Sequence, residues 1–81
     1  MTAEPGAVLE AARVQAGMAI IDVWLAYFAL GGMEPLAGVT SILMGRVQPS
    51  DADYNMLAQG INEHFMDSGR DHPVPYRDEM E

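Results

Sequence analysis

Few side chains in this sequence have the types and spacing that catalysis or metal binding requires. The two histidines stand among carboxylates, and His64, Asp67 and His72 could in principle hold a metal ion. These three residues straddle the expected end of a helix, and their spacing is a weak signal for a metal site. We therefore expect no metal, and we interpret His64 as a residue at the border of an apolar helix face.

Nucleophilic and phosphate chemistry also lack their usual residues. The chain has no cysteine, and its three serines fall within, before and after expected helices without a histidine at a suggestive spacing. Gly31 and Gly32 precede Pro35 without the lysine or the glycine spacing of a phosphate loop. The sequence thus predicts a protein that is not an enzyme and that needs no cofactor.

The charge of the chain is strongly negative. Twelve acidic residues face four basic ones, all arginine, which gives a net charge of −8. Residues 51–81 carry eight of the acidic residues and two of the arginines. Because nucleic-acid binding rests on cationic side chains that displace counterions, direct binding to DNA or RNA is disfavoured. A basic protein surface would be attracted instead.

The apolar segments are too short to indicate a membrane protein. Residues 17–32 form the longest apolar stretch, sixteen residues interrupted by Asp22, whereas a membrane span needs roughly 20. The first residues lack a basic segment before an apolar run, so we expect a cytoplasmic protein with no membrane partner. The absence of lysine beside abundant Ala, Gly, Val and Arg is typical of a GC-rich bacterial gene.

Helical periodicity is the main structural signal, and no run alternates with the period of a strand. The expected helices cover residues 5–16, 20–30 and 35–44, and a fourth begins after Ser50 and ends at Ser68 and Gly69. The fourth is the clearest, because Ser50 can cap it and because it carries one apolar stripe: Tyr54, Leu57, Ala58, Ile61 and Phe65. We predict an all-α fold, a small orthogonal or up-down bundle of four helices formed by residues 1–69.

Residues 70–81 form a polar, acidic tail that contains two prolines, and we expect it to be extended. Its apolar anchors are Val74 and Tyr76. The tail either docks along the bundle through these two side chains or stays flexible, and we expect its removal to change thermal stability little.

The second helix, residues 20–30, is unusually apolar on all sides. Its large side chains are expected in the core, and they are Ile20, Ile21, Trp24, Leu25, Tyr27 and Phe28. The opposite side carries Asp22, which suits the positive first turn of a helix, together with small apolar residues. That side is either covered by the first and third helices or exposed as an interface.

These patterns favour a non-catalytic protein-interaction domain. We expect a regulatory or adaptor module, compatible with transcription control through protein contacts, that binds another protein or forms a homodimer through the second helix. The expected interaction residues are Val23, Ala26, Ala29, Leu30, Met56 and Met66. The alternative is a small-molecule-binding helical domain with an apolar pocket lined by Trp24, Tyr27 and Phe28.

Overall fold

The computed structural model describes residues 4–70 and 74–80. Within these residues the chain folds into four α-helices and one short 3₁₀ helix, without a strand, which confirms the predicted all-α class. The helices are α1 (Pro5–Ala16), α2 (Ile20–Ala29), α3 (Leu36–Leu43) and α4 (Asp51–Asp67), followed by the 3₁₀ helix Arg77–Glu79. None of the helices in these ranges is long and apolar enough to cross a membrane.

The ends of the helices follow from local chemistry. Pro5 stands in the first turn of α1, where a missing N–H is tolerated, and Gly17 ends that helix with a φ of 72°. The side chain of Ser50 caps α4 by accepting a hydrogen bond from the backbone N–H of Asp53 at 3.1 Å. Asp22 accepts the backbone N–H of Ala19 at 3.0 Å, which is the first-turn role that the sequence predicted for it.

One core joins all four helices. α4 packs against α1 and α2, and α3 packs against the same two helices. The stripe predicted for α4 is confirmed, because all five of its side chains are buried. The core residues are Leu9, Ala12, Met18, Val23, Tyr27, Val39, Ile42, Leu43, Tyr54, Leu57, Ala58, Ile61, Phe65 and Val74.

The described part of the tail docks on α4. Val74 is 3% exposed, and its backbone N–H and C=O bond to the side-chain amide of the buried Asn62, at 3.0 and 2.9 Å. The Tyr54 hydroxyl donates to the carbonyl of Pro75 at 2.8 Å. Val74 therefore belongs to the core of the bundle, and Tyr76 and Met80 pack partly against it. This packing argues against the expectation that the tail adds little stability.

Candidate protein-binding surface

The orientation predicted for α2 is only partly right. Of the six large side chains expected in the core, Tyr27 is buried and Ile20 and Trp24 pack partly against the core, whereas the other three are exposed. Val23 and Tyr27 are fully buried, whereas Ile21, Leu25 and Phe28 are 43%, 51% and 58% exposed. Nearly every residue of this helix is apolar, so its sequence carries no polar side that would fix its rotation about its axis. The rotation of α2 is set instead by the shape of its side chains, because small residues on one side let it approach α4 closely.

The close approach lies at Ala26 and Gly60. A Cβ placed on Gly60 would stand 2.9 Å from the Cβ of Ala26, closer than real side chains pack. The two backbones can thus meet only because one residue has no side chain and the other has a single methyl group. This contact turns Val23 and Tyr27 into the core and turns Ile21, Leu25 and Phe28 outward.

The exposed side of α2 forms a continuous apolar strip, which we call the outer α2 face. It comprises Ile21, Leu25 and Phe28, which recur at the i, i+4 and i+7 spacing of one helix side, together with Trp24 at its border. The Trp24 and Phe28 rings stack with centroids 5.3 Å apart, and the indole N–H donates to the carbonyl of Glu34 at 3.0 Å. Adjacent large apolar side chains of this kind mark interaction sites more often than scattered ones do.

A groove of about 480 Å³ adjoins this face, between α2 and α4. Its apolar lining consists of Gly17, Met18, Leu25, Ala26 and Gly60. Three carboxylates, Asp22, Glu63 and Asp67, line it as well, together with His64 and without an arginine. Leu25 belongs both to the groove and to the outer α2 face, so the two surfaces are continuous.

His64 has a structural contact within this groove. Its Nε2 lies 3.2 Å from the carbonyl oxygen of Ala16, and since a carbonyl only accepts, Nε2 carries the proton in this contact. Of the three residues considered for a metal, His72 lies outside the described residues. Within the described ranges, no three His, Asp or Glu side chains are close enough to hold a metal ion.

The six residues predicted for interaction differ in their exposure. Val23 is fully buried and cannot meet a partner, which corrects its assignment, and Ala26 is half-buried against α4. Ala29 is exposed and Leu30 is half-buried. Met56 packs partly against the core, whereas Met66 is 51% exposed, and neither methionine lines the groove.

The three aromatic residues considered for a ligand pocket do not converge. Tyr27 is buried beneath Gly32, where a Cβ would collide with the phenol ring. Its hydroxyl donates to Asp53 at 2.8 Å and accepts the backbone N–H of Glu34 at 2.9 Å. Burial disfavours the phenolate and raises the pKa of Tyr27, an effect to which the charge of Asp53 adds. Trp24 and Phe28 stack at the surface, so this geometry does not favour an aromatic pocket.

Polar groups inside the bundle have structural partners. Within the described residues, no buried side-chain nitrogen or oxygen lacks a hydrogen bond. Asn62 holds the tail and Tyr27 joins α2 to the first turn of α4, so both serve the fold. The exposed side chains of the outer α2 face and the groove beside it have no comparable role in the fold.

Comparison with protein-family models, with curated proteins and with solved structures gave no match.

Proposed function

We propose that this protein is a non-catalytic protein-interaction domain, a regulatory or adaptor module that binds a partner protein through the outer α2 face. The observation that carries the proposal is the exposure of Ile21, Leu25 and Phe28 side by side on one helix. Large apolar side chains in contact with one another on a surface favour association, because covering them removes apolar area from water.

The size of this face sets the kind of complex to expect. Fully burying a large apolar side chain contributes about 1.5–3 kcal/mol, and each of these three is already partly covered. Association itself costs an estimated 4–15 kcal/mol. The three side chains thus form the centre of an interface of moderate affinity, to which further contacts must add.

A different protein is a better partner than a second copy of this chain. Each copy carries a net charge of −8, so two copies repel each other as they approach, whereas a basic protein surface is attracted. The same charge disfavours direct contact with nucleic-acid phosphates. A role in transcription control would therefore be exercised by binding another protein.

The proposal is tested by comparing what co-purifies with matched variants from cells that naturally produce the chain. Leu25→Ser with Phe28→Ser removes two side chains of the outer α2 face, and Met44→Ser with Val47→Ser removes two that are similarly exposed elsewhere, at 44% and 52%. We expect at least one protein, quantified by mass spectrometry, to be lost with the first pair and retained with the second. Identical sets from the two variants would contradict the proposal.

The comparison requires that both variants fold. All four side chains are exposed by two fifths or more, so each substitution is expected to change the free energy of unfolding by less than about 1 kcal/mol. Urea denaturation followed by circular dichroism provides this control.

A further inference from the structure

The outer α2 face and the groove form one continuous surface, and the carboxylates lie along its border. Phe28, Ile21 and Leu25 follow the exposed side of α2, and from Leu25 the surface continues into the groove over Ala26 and Met18. Asp22 stands on the α2 side of the groove, while Glu63 and Asp67 lie one turn apart on α4. An elongated apolar surface thus has an acidic border along one side.

From this arrangement we propose that the groove and the outer α2 face receive an amphipathic helix of the partner protein, with lysine or arginine side chains lying against Asp22, Glu63 and Asp67. The inference rests on the proposed function, because it specifies what occupies the same surface. An amphipathic helix presents apolar residues at i, i+4 and i+7 and basic residues beside them, which matches both parts of this surface.

Two other modes of peptide recognition lack their structural requirements. Addition of a strand needs an open sheet edge, and the described ranges contain no strand. Recognition of a phosphorylated or acidic peptide needs clustered arginines, whereas the groove is lined by three carboxylates and no arginine. A helix in the groove between α2 and α4 is the mode that this surface fits.

A second copy of the chain does not supply such a helix. Arg13 is the one arginine within the four α-helices of the described residues, and it forms a salt bridge with Glu10 on the same helix at 2.7 Å. The ion pairs seen among the described residues are Glu10 with Arg13 and Asp51 with Arg77. The three carboxylates that border the groove take part in neither of these pairs. The complementary charge must come from a different protein.

The inference can be tested with synthetic peptides. The probe is an 18-residue helix with leucine on one face and lysine and glutamine elsewhere, free of tryptophan so that the stacked Trp24 reports binding by fluorescence. Its controls are a peptide with glutamate in place of lysine and a scrambled peptide of the same composition. We expect the leucine–lysine helix to bind at least about tenfold more tightly than either control. Amide shifts in NMR spectra should be confined to residues 17–29 and to the second half of α4, which line the groove and the outer α2 face.

Variants of the protein distinguish the effect of the three border carboxylates on binding from the effect of the net charge. Asp22→Asn, Glu63→Gln and Asp67→Asn together are expected to weaken binding of the leucine–lysine helix about tenfold and to reduce its salt dependence. The matched control, Glu4→Gln, Asp51→Asn and Asp78→Asn, changes the net charge equally at sites outside the groove and is expected to weaken binding less than about twofold. Equal weakening in the two variants, or equal binding of the lysine and glutamate peptides, would overturn the inference.

The failure of this inference is distinguishable from failure of the proposed function. If the partner protein is lost with Leu25→Ser and Phe28→Ser yet retained with the three carboxylate substitutions, the outer α2 face binds a protein but no basic helix occupies the groove. If it is retained with both, the proposed function fails as well.

Discussion

Gly60 of α4 lies directly against Ala26 of α2, so that a Cβ on the glycine would stand 2.9 Å from the methyl carbon of the alanine. This relationship determines which side of α2 is buried. It also forms the floor of the groove, because neither residue has a side chain that would fill the space between the two helices. The candidate binding surface thus follows from a packing contact.

Gly60→Ala is therefore expected to destabilise the protein although alanine favours helices. The gain in helix propensity is about 1 kcal/mol, while a methyl group forced against Ala26 costs about 1–3 kcal/mol, since a Cβ cannot rotate away. Gly38→Ala is the control, because the added Cβ there meets the side chain of Glu34, which is flexible and exposed. Urea denaturation should show Gly38→Ala as neutral or stabilising. Stabilisation by both substitutions would mean that the two helices do not touch at Gly60.

Tyr27→Phe is expected to reduce the free energy of unfolding by about 1–3 kcal/mol. The substitution keeps the buried ring but leaves the carboxylate of Asp53 and the backbone N–H of Glu34 without the hydroxyl that joins them. The measurement is chemical denaturation at pH 7, with Tyr76→Phe as a control on a half-buried tyrosine of the tail. Equal, small effects of the two substitutions would argue against the hydrogen-bonded link between α2, Glu34 and α4.

Alkaline pH should destabilise the protein through two tyrosines. Burial raises the pKa of Tyr27 and of Tyr54 above the ordinary tyrosine value of about 10, so the folded state holds these protons more tightly than the unfolded state. Their contribution to stability is complete below pH 10 and is lost as the pH rises through the raised values. The melting temperature should fall above about pH 10, and the slope should be shallower in Tyr27→Phe. Parallel slopes would contradict the raised pKa of Tyr27.

The tail should stabilise the bundle through Asn62. A chain that ends at Gly69 loses the burial of Val74 and its two hydrogen bonds to the Asn62 amide, and we expect a loss of about 2–4 kcal/mol. Asn62→Ala in the full chain should cost about 1–3 kcal/mol, and considerably less in the shortened chain, where Val74 is absent. If the two changes are additive, Asn62 does not hold the tail.

The helices could be predicted from the sequence where proline, glycine or a capping side chain marks their ends and where polar residues mark one side. Pro5 and Gly17 bound α1 as expected, and Ser50 begins α4 as its cap. The helical spacing of apolar residues along α4 also predicted its buried stripe correctly, because the other side of that helix is polar and faces water.

The candidate site was less predictable for a physical reason. In α2 only Asp22 is charged, so hydrophobicity alone left the rotation of the helix open, and Val23 was assigned to the wrong side. A usable signal was Gly60, since an isolated glycine inside a helix indicates a close approach to another backbone. The docking of the tail depends on one long-range partner, Asn62, which local patterns do not show.

Photo-crosslinking from the outer α2 face, in cells that naturally produce the protein, tests directly whether this face binds another protein. Phe28→p-benzoylphenylalanine places the reactive group on this face, and Val47→p-benzoylphenylalanine places it at a similarly exposed control position. We expect a discrete adduct from position 28 that is absent from position 47. Its mass should differ from twice the 8.8 kDa of the chain, because the partner is a different protein. An adduct of twice that mass would show a homodimer and contradict the assignment of the partner. The absence of any adduct specific to position 28 would contradict the claim that this face binds a protein.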